Sequence, residues 1–534
     1  MYKVPDRPSE LGITTQDGKD EWREGQKDAI GEIISAFKDK KFVLCNAPTG
    51  SGKTIIGAAV GRILGVDSLS LTHTIQLQEQ YRKTLPWAGI VTGRSNHKCE
   101  LDGTLTADQA PCSEGEGCPF KAADGCSYYR SFVEAGTSPE SVLNYAYATR
   151  ILQTNSIRDL FPNNPFRRTL LVCDEGDLAE GALVEASKIQ FRKYSVDRLE
   201  MGKFPESTDL GEWKAWADDE LPSIREAYRA AKAAYMDHEQ ETSKADLKQL
   251  KYLKAMVSRL EEVCLVDPAT WVVLKDYEGY ILRPIWGKTV AEDTLWRHSQ
   301  YVLLMSATLG EPNILMEKLS IPADKAVYID IPSTFPVENR LVYYWPVVRM
   351  SKKSGDDDWN RMASAIDFLA SHEVNINRKG VIHCGSFKAG YELWSRLSGR
   401  ERYIYQQPAQ GQRMKALKEF EESSKPVILI TPSFTTGLDL PGVIDWQVIS
   451  KVPFGNLGDP IVRMRRDTVI GGKAFGKLNY DAEAMNTVVQ ACGRAVRGAD
   501  DKGVTYILDG NFWGLYKRSY SPGYFKEEVR EMVR

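Results

Sequence analysis

The amino-acid sequence predicts an α/β protein with two parallel β-sheets, and two observations carry that prediction. Seven short apolar runs are continuous rather than alternating, as in parallel strands that helices cover on both faces. Helical patterns separate many of these runs, which is the layering of α/β domains. The runs are residues 42–45, 69–72, 169–174, 301–307, 381–384, 427–431 and 505–509.

Two stretches interrupt this alternation of predicted strands and helices. Residues 93–135 are rich in Gly, Asp, Ser and Cys and have no clear period. Residues 181–285 are predicted to be mostly helical, because apolar side chains there recur at steps of three and four. We therefore predict that the first sheet carries two insertions. The predicted division is 1–92, 136–180 and 286–330 for the first sheet domain, 93–135 and 181–285 for its insertions, and 331–534 for the second domain.

The composition is that of an ordinary globular protein. Of 534 residues, 42% are hydrophobic and 26% are charged, which excludes collagen-like, mucin-like and wholly disordered chains. The net charge of −3 gives no strong positive field, so nucleic-acid binding would need local patches and stacking surfaces. No apolar run is long enough for a membrane-spanning helix, and the N-terminus has no apolar signal core. We expect a soluble monomer that is cytoplasmic or nucleoid-associated.

A glycine-rich loop follows the first apolar run, in the sequence FVLC-NAPTGSGKT. Backbone N–H groups of such a loop cradle phosphates at the start of the next helix, and Gly50, Ser51 and Gly52 form its turn. Lys53 would reach the β- and γ-phosphates, and the Thr54 hydroxyl would hold Mg²⁺. A chance glycine turn is disfavoured, because GSGKT comes directly after an apolar strand. The loop therefore predicts nucleotide binding.

An acidic pair and two arginines are further parts of the predicted nucleotide site. Asp174 ends a strand, where its carboxylate can bind the metal, and Glu175 can orient or deprotonate the attacking water. A helix would place Gln490, Arg494 and Arg497 on one face, because they are separated by steps of four and three. Each feature alone could be a solvated turn or a surface ion-pair stripe. Together with the phosphate loop, they favour arginine fingers on the γ-phosphate.

Four of the nine cysteines lie within 28 residues, as Cys99, Cys112, Cys118 and Cys126. Structural zinc sites usually contain closely spaced C-x2-4-C pairs, and no such pair occurs among these four. Four thiolates on an irregular loop also suit an iron–sulfur cubane, in which each iron takes one cysteine. The spacing alone leaves an iron–sulfur cluster, a zinc site and free cysteines open.

Together these motifs resemble those of the superfamily 2 helicases, and within that superfamily those of the XPD/DinG family. Ten segments match in the order that the family has, spread along most of the chain, which makes the resemblance specific. They are REGQ at 23–26, APTGSGKT at 47–54, THTIQLQEQ at 72–80, GRSNHKC at 93–99, LNYAY at 143–147, DEGD at 174–177, SATL at 306–309, GLDLPG at 437–442, KVPFGNLGDP at 451–460 and QACGRAVR at 490–497.

The resemblance implies an ATP-dependent DNA helicase with two RecA-like motor domains, in which the insertion 93–135 is an iron–sulfur module and the insertion 181–285 is a helical arch. It implies a [4Fe–4S] cluster on the four cysteines, because the family has its cluster between motifs Ia and II. It also implies 5′→3′ movement on single-stranded DNA, forked or 5′-tailed duplexes as substrates, and a role in DNA repair, replication or recombination. Two alternatives stay open, an RNA helicase and a single-strand-binding protein with a weakened motor.

The resemblance also implies roles for single residues. Gln26 and Gln490 match nucleotide-site positions of the family, Gln26 as the contact to the adenine base, and ATP and Mg²⁺ are the expected ligands. The family usually has His at the last position of motif II, where this chain has Asp177, so the strength of coupling to motif III is left open. With 46 residues before the loop, we expect no upstream exonuclease domain. The expected contacts to the nucleic-acid backbone are Thr72, Thr74, Asn144, Ser386 and Thr436.

Overall fold

A computed structural model of the chain describes residues 3–15, 18–114, 118, 120, 125–154, 161–236, 244–434, 443–496, 498 and 501–532. Within these ranges, no helix is both long and apolar enough to cross a membrane. The strands in chain order are β1 (Phe42–Asn46), β2 (Ser68–Thr72), β3 (Gly89–Ile90), β4 (Glu140–Asn144), β5 (Leu170–Asp174), β6 (Ile189–Arg192), β7 (Trp271–Lys275), β8 (Gly279–Pro284), β9 (Tyr301–Ser306), β10 (Ala326–Asp330), β11 (Val342–Val348), β12 (Gly380–His383), β13 (Tyr403–Tyr405), β14 (Ile428–Thr431), β15 (Trp446–Ile449), β16 (Val504–Asp509) and β17 (Val529–Glu531).

Helices connect most of these strands, as the α/β prediction requires. They are α1 (Gln26–Ala36), α2 (Lys53–Leu64), α3 (Ile75–Thr84), α4 (Ser127–Thr137), α5 (Tyr145–Ile151), α6 (Ala179–Ala186), α7 (Tyr194–Leu199), α8 (Leu210–Met236), α9 (Lys244–Leu265), α10 (Lys288–Thr294), α11 (Pro312–Lys318), α12 (Asp356–Ser371), α13 (Phe387–Trp394), α14 (Gln412–Glu422), α15 (Pro460–Arg466), α16 (Phe475–Cys492), α17 (Phe512–Arg518) and α18 (Gly523–Glu528).

The first sheet has the order β10-β1-β9-β5-β2-β4-β3, and its neighbouring strands are parallel. The carboxyl ends of its strands therefore meet at one edge, which is where α/β sheets bind ligands. The ends of β1, β5 and β9 lie side by side at this edge, because β9 separates the other two. The sheet thus brings the phosphate loop, Asp174 and Ser306 together from distant parts of the chain.

The second sheet has the order β13-β14-β12-β15-β16-β11-β17 and is parallel as well. Buried side chains of α12 and α13 pack on one face, and those of α16 and α17 pack on the other. Two parallel sheets with helices on both faces confirm the predicted fold class. All seven predicted runs are strands, namely β1, β2, β5, β9, β12, β14 and β16.

The strands that sequence patterns missed are interrupted or half-exposed. Glu140 begins β4 and Gln447 lies within β15, so neither strand is a continuous apolar run. In β10 and β11 most residues are only partly buried. These strands form because they hydrogen-bond to neighbouring strands of the sheet, and a local sequence pattern does not show that pairing.

The segment between α6 and α10 folds as a helical hairpin on a small antiparallel sheet. The long helices α8 and α9 pack along each other, and the sheet has the order β6-β8-β7. Phe191 of β6, Trp213 of α8 and Leu260 of α9 are all fully buried in the shared core. The two long helices agree with the mostly helical segment predicted here. The sheet was not predicted, because its strands are short, β7 is mostly half-buried, and β6 is distant in the chain from β7 and β8.

The segment between β3 and β4 is an irregular module that ends in α4. Its described residues form short turns at Arg94–Asn96 and Pro111–Glu114 and a bridge between Lys98 and Thr106. Tyr128, Tyr129 and Phe132 of α4 are buried in the core that also covers the first sheet. The module is therefore anchored to the sheet by α4, while its loops have little core of their own.

Candidate functional site

The phosphate loop joins β1 to α2, and its backbone requires both of its glycines. Gly50 and Gly52 have φ of +83° and +76°, in the left-handed region that residues with a Cβ rarely adopt. Close neighbours add a second reason, because a Cβ on Gly50 would lie 2.2 Å from the ring of Phe335. A Cβ on Gly52 would lie 2.2 Å from Nε2 of Gln26. The loop is thus held on two sides before α2 begins at Lys53.

Gln26 is buried against the phosphate loop. Its Nε2 donates to the Ser51 carbonyl at 2.7 Å, and its Oε1 accepts from the Arg23 backbone N–H at 2.8 Å. The Arg23 guanidinium donates to the Gly50 carbonyl at 2.6 Å. An adenine contact by Gln26, the role expected from the sequence, would have to replace one of its two bonds. Ser51 Oγ is buried without a partner in the described part of the chain, which suits a phosphate oxygen.

Lys53 and Glu175 face each other at the centre of the site, with 3.5 Å between Nζ and Oε1. Burial lowers the pKa of Lys53, but the carboxylates of Glu175, Asp174 and Asp177 outweigh burial, and the net pKa is raised. The ammonium therefore stays charged, as a contact to transferring phosphates requires. Glu175 has a φ of +49°, a strained conformation that functional sites often retain. The Ser306 hydroxyl donates to Glu175 Oε2 at 3.0 Å and holds it.

Thr54 and Asp174, the two expected Mg²⁺ ligands, share the neighbour Tyr81. The Tyr81 hydroxyl donates to Asp174 Oδ2 at 3.3 Å and also interacts with the Thr54 side chain. Burial, and then the adjacent Glu175, raise the pKa of Asp174 to about 6. A divalent cation would relieve this repulsion, and Mg²⁺ prefers oxygen ligands of this kind, so the residues fit the ion. Sequence reasoning missed Tyr81, although it directly follows the THTIQLQEQ segment.

Asp177, the departure from the family pattern, joins motifs II, III and VI. Gln490 donates through Nε2 to Asp177 Oδ2 at 2.9 Å and to the Thr308 hydroxyl at 2.7 Å. The Thr308 hydroxyl donates in turn to Asp177 Oδ2 at 3.4 Å. Burial and the charge of Glu175 raise the pKa of Asp177 to about 7. The aspartate thus makes a contact between motifs II and III, and Gln490 extends it across the cleft to the second sheet.

Arg494 reaches the same cleft from the second sheet, just after α16. The preceding residue, Gly493, lies next to the phosphate loop, because a Cβ built there would be 4.0 Å from Thr49 Oγ1. Burial lowers the pKa of Arg494, and the negative charge of Glu175 opposes that shift. The end of α16, with Gln490 and Arg494, therefore borders the cleft that Lys53 and Glu175 line. The second expected finger, Arg497, lies outside the described residues, as does the expected strand contact Thr436.

The four clustered cysteines surround one small cavity. Cys99, Cys112, Cys118 and Cys126 all line it, and all four are free thiols. Burial raises the pKa of Cys112, the Arg94 guanidinium lowers it, and the thiols of Cys118 and Cys126 raise it further. Among the described residues, however, no three His, Cys, Asp or Glu side chains are grouped so that they could hold a metal ion. Four thiols are the donors that a four-thiolate cluster requires. They line the same cavity, but in the described part of the chain they are not grouped as metal ligands.

The expected contacts to a nucleic-acid strand lie at the carboxyl edges of the two sheets. Thr74, Asn144 and Ser386 are the N-caps of α3, α5 and α13, and each side chain accepts from a backbone N–H. Thr74 and Ser386 are exposed, and Asn144 is half-buried. Thr72 is fully buried and its hydroxyl donates to the Thr74 carbonyl at 3.2 Å. Thr72 therefore holds the backbone at Thr74 and does not face the surface where a nucleic-acid strand is expected.

Two protein-family profiles match parts of the chain. One, described as a helicase C-terminal domain, matches residues 372–527, and the other, described as the res subunit of type III restriction enzymes, matches residues 19–106. A probable ATP-dependent helicase of Methanocaldococcus jannaschii is 21% identical over 96% of this chain and 95% of the relative. The ATP-dependent DNA helicase DinG of Photobacterium profundum is 36% identical over 100 residues, which are 18% of this chain and 14% of the relative.

Solved structures share the fold. The structure of S. tokodaii Xpd4 aligns with a TM-score of 0.62 at 15% identity, covering 96% of this chain and 100% of that chain. A structure described as an XPD helicase aligns with a TM-score of 0.59 at 16% identity, covering 96% of this chain and 99% of that chain. At these identities the similarity shows the fold alone, but the motifs, the family profiles and the full-length relative agree with it. The chain is therefore an ATP-driven helicase, and it is similar to the XPD and DinG helicases in motifs, family profiles and fold.

Proposed function

We propose that the protein moves 5′→3′ along single-stranded DNA and unwinds forked or 5′-tailed duplexes in DNA repair, replication or recombination. One observation carries the proposal: Gln490 of the second sheet hydrogen-bonds Asp177 and Thr308 of the first sheet, beside the pair of Lys53 and Glu175. Catalytic groups from two sheets act together only when the cleft is closed, which couples ATP hydrolysis to motion between the sheets. The domain division predicted from the sequence is part of this proposal.

Each residue in the cleft has its own task in hydrolysis. Lys53 stabilises charge on the transferring phosphoryl group, Glu175 orients the attacking water and takes its proton, and Arg494 stabilises the γ-phosphate. Thr54 and Asp174 would hold Mg²⁺, which supplies further neutralisation of phosphate charge when it is bound. Because Lys53 and Glu175 are paired at 3.5 Å, arriving phosphates compete for Lys53 and release Glu175 to act on water.

Bonds across the cleft link hydrolysis to movement along the strand. Gln490 of α16 reaches Asp177 and Thr308 of the first sheet, so opening the cleft must break these bonds. We assign the strand contacts to Thr74 and Asn144 on the first sheet and Ser386 on the second. When the cleft opens and closes, the distance between the two groups of contacts changes, and the strand is ratcheted.

We assign a [4Fe–4S] cluster to Cys99, Cys112, Cys118 and Cys126, because these four thiols surround one cavity. When bound, the cluster would cross-link a loop-rich module that has too little core to fold alone. The arch reaches this module through α9, where Lys251 Nζ donates to a backbone carbonyl, that of Asp108, at 2.7 Å. This contact closes a ring of arch, module and first sheet, through which a single strand would pass.

The test uses duplexes with a single-stranded tail on only the 5′ or only the 3′ side, with ATP and Mg²⁺. We expect unwinding of the 5′-tailed duplex, and stronger stimulation of ATP hydrolysis by DNA than by matched RNA oligomers. Lys53→Ala should abolish hydrolysis and unwinding while single-strand binding remains, because the phosphate contact is lost. Unwinding of the 3′-tailed duplex alone would refute the polarity. Equal stimulation by RNA would favour an RNA helicase, and strand binding without turnover would favour a weakened motor.

A further inference from the structure

A buried polar pair, His383 and Gln447, lies inside the second sheet beneath the nucleotide cleft. His383 ends β12, Gln447 lies in the neighbouring strand β15, and both side chains are fully buried. Buried polar groups cost free energy unless they are hydrogen-bonded. The hydrogen bonds of these two side chains therefore show which parts of the backbone the pair fixes in place.

Gln447 holds the end of the helix that leads to Arg494. Its Nε2 donates to the carbonyls of Ala491 at 2.9 Å and Cys492 at 3.2 Å, and to the Thr505 hydroxyl at 2.8 Å. The last carbonyls of a helix have no partners within the helix, so a side-chain donor placed there fixes the helix end. Helix α16 ends at Cys492, and Arg494 is the second residue after it.

His383 orients Gln447 and connects it to the loop that leads into motif V. Because Nε2 of Gln447 faces three acceptors, its Oε1 points to His383 Nε2, at 3.1 Å. The other ring nitrogen, Nδ1, lies 2.7 Å from the Ser433 carbonyl. The ring of Phe434 stacks on the imidazole with 5.4 Å between centroids. The imidazole is thus held at both nitrogens and on one face.

We propose that Gln447, oriented by His383, is a positioning residue that places Arg494 for ATP hydrolysis. The proposal rests on the role proposed above for Arg494. Arg494 lies two residues beyond the Cys492 carbonyl that Gln447 holds, and its charge adds to burial in lowering the pKa of His383. The two side chains also form a hydrogen-bonded chain from the Ser433 carbonyl to the end of α16.

The first experiment is Gln447→Met, which keeps the length of the side chain and removes its donors. We expect nucleotide affinity to stay within about threefold while kcat for ATP falls by up to about 100-fold, the scale on which small misplacements of catalytic groups act. Thr505→Val is the matched control, because it removes one bond of the same amide without touching the helix carbonyls. The control should keep kcat within about twofold. Loss of nucleotide affinity with kcat unchanged would contradict the positioning role.

A double-mutant cycle with Arg494→Ala gives the decisive result. If Gln447 acts through Arg494, Gln447→Met adds little further loss once Arg494 is gone, because residues that act as a unit are not additive. Additive losses would overturn the proposal. Normal turnover in Arg494→Ala alone would instead refute the finger role and, with it, the proposed function. If circular dichroism shows that Gln447→Met does not fold, His383→Asn replaces it in the same cycle and the same outcomes decide.

Discussion

Glu140 is a carboxyl buried inside the first sheet, at the start of β4 and apart from the nucleotide site. The residue is 3% exposed, and the Ser70 hydroxyl donates to its Oε1 at 2.7 Å. Burial raises its pKa to about 7, with the Ser70 bond and the charge of Arg62 opposing the rise. Because the folded pKa exceeds the unfolded value, its contribution to stability is complete below the unfolded pKa and is lost as pH rises through about 7.

Glu140→Gln should therefore stabilise the protein at high pH only. The amide keeps an acceptor for Ser70 and removes the buried charge, so we expect the melting temperature at pH 8 to rise by roughly 2–4 °C or more. Near pH 5 the variant and the parent protein should melt together. Thermal unfolding followed by circular dichroism at both pH values measures the effect. Glu134→Gln, on an exposed residue of α4, is the control, and a lower melting temperature of Glu140→Gln at pH 8 would contradict the prediction.

Residues that act within one short segment could be predicted from the sequence, whereas contacts between residues far apart in the chain could not. Gly50, Gly52 and Lys53 form one short loop, whose spacing alone indicates phosphate binding. The Asp177–Gln490 bond joins residues 313 positions apart, and nothing near either residue predicts it. The adenine contact of Gln26 stays a prediction, and its bond to the Ser51 carbonyl depends on how α1 packs on the loop, which the sequence does not show.

At the scale of elements, continuous apolar strands and long amphipathic helices were predictable, whereas the small sheet of the arch was not. β1, β5 and β9 are buried on both faces, so their sequences are apolar up to the polar residue that ends each strand. β7 follows α9 and pairs with β8 in a hairpin, but its residues are mostly half-buried and give a weak pattern. The cysteine module is a further case, because its described loops are irregular and have no apolar period that a sequence pattern could detect.

The cysteine module should contain iron. Protein purified without oxygen is expected to be brown and to hold about four irons, as a cubane does. Cys112→Ser should lose the iron and strand separation but keep part of the ATP hydrolysis, because each motor sheet has a core without module cysteines. Cys264→Ser, on α9 and outside the module, is the matched control and should keep the iron. Stoichiometric zinc without iron in fresh protein would contradict the cluster.

At the scale of the whole molecule, an ion-pair cluster connects the two motor sheets beside the cleft. Arg465 of α15 donates to Glu180 of α6 at 3.0 Å, and its guanidinium lies 4.0 Å from the centre of the Trp286 ring. Lys318 of α11 and Glu483 of α16 complete the cluster at 3.3 Å from each other. Glu180 is 3% exposed, and a buried carboxylate is costly to leave without ion-pair partners.

Arg465→Met should weaken this contact between the sheets. Met can still cover Trp286. Of the two cations that pair with Glu180 among the described residues, only Lys318, at 3.8 Å, then remains. Removing one partner of a buried pair costs about 3 kcal/mol, so we expect a lower melting temperature and a slower DNA-stimulated ATPase. Arg463→Met, an exposed arginine of the same helix, is the control. Equal behaviour of the two variants would show that the cluster does not hold the sheets together.

The last prediction concerns how long the protein stays on a strand. Lys251 of α9 bonds the carbonyl oxygens of Asp108 at 2.7 Å and Ala110 at 3.2 Å, and thereby joins the arch to the cysteine module. If the strand passes through the ring closed by this contact, opening the ring gives the strand an exit that does not require a free end. ATP hydrolysis occurs in the cleft, which Lys251 does not touch.

Lys251→Ala should therefore dissociate faster from single-stranded DNA and unwind shorter duplexes per binding event, while ATP hydrolysis at saturating DNA is retained. Dissociation into excess competitor DNA measures the first effect, and duplexes of increasing length with one 5′ tail measure the second. Lys248→Ala is the matched control, because Lys248 lies on the same helix and is exposed. A variant that dissociates as slowly as the parent protein would mean that the arch contact does not retain the strand. Faster dissociation with an unchanged unwinding length would mean that the strand contacts the ring but does not pass through it.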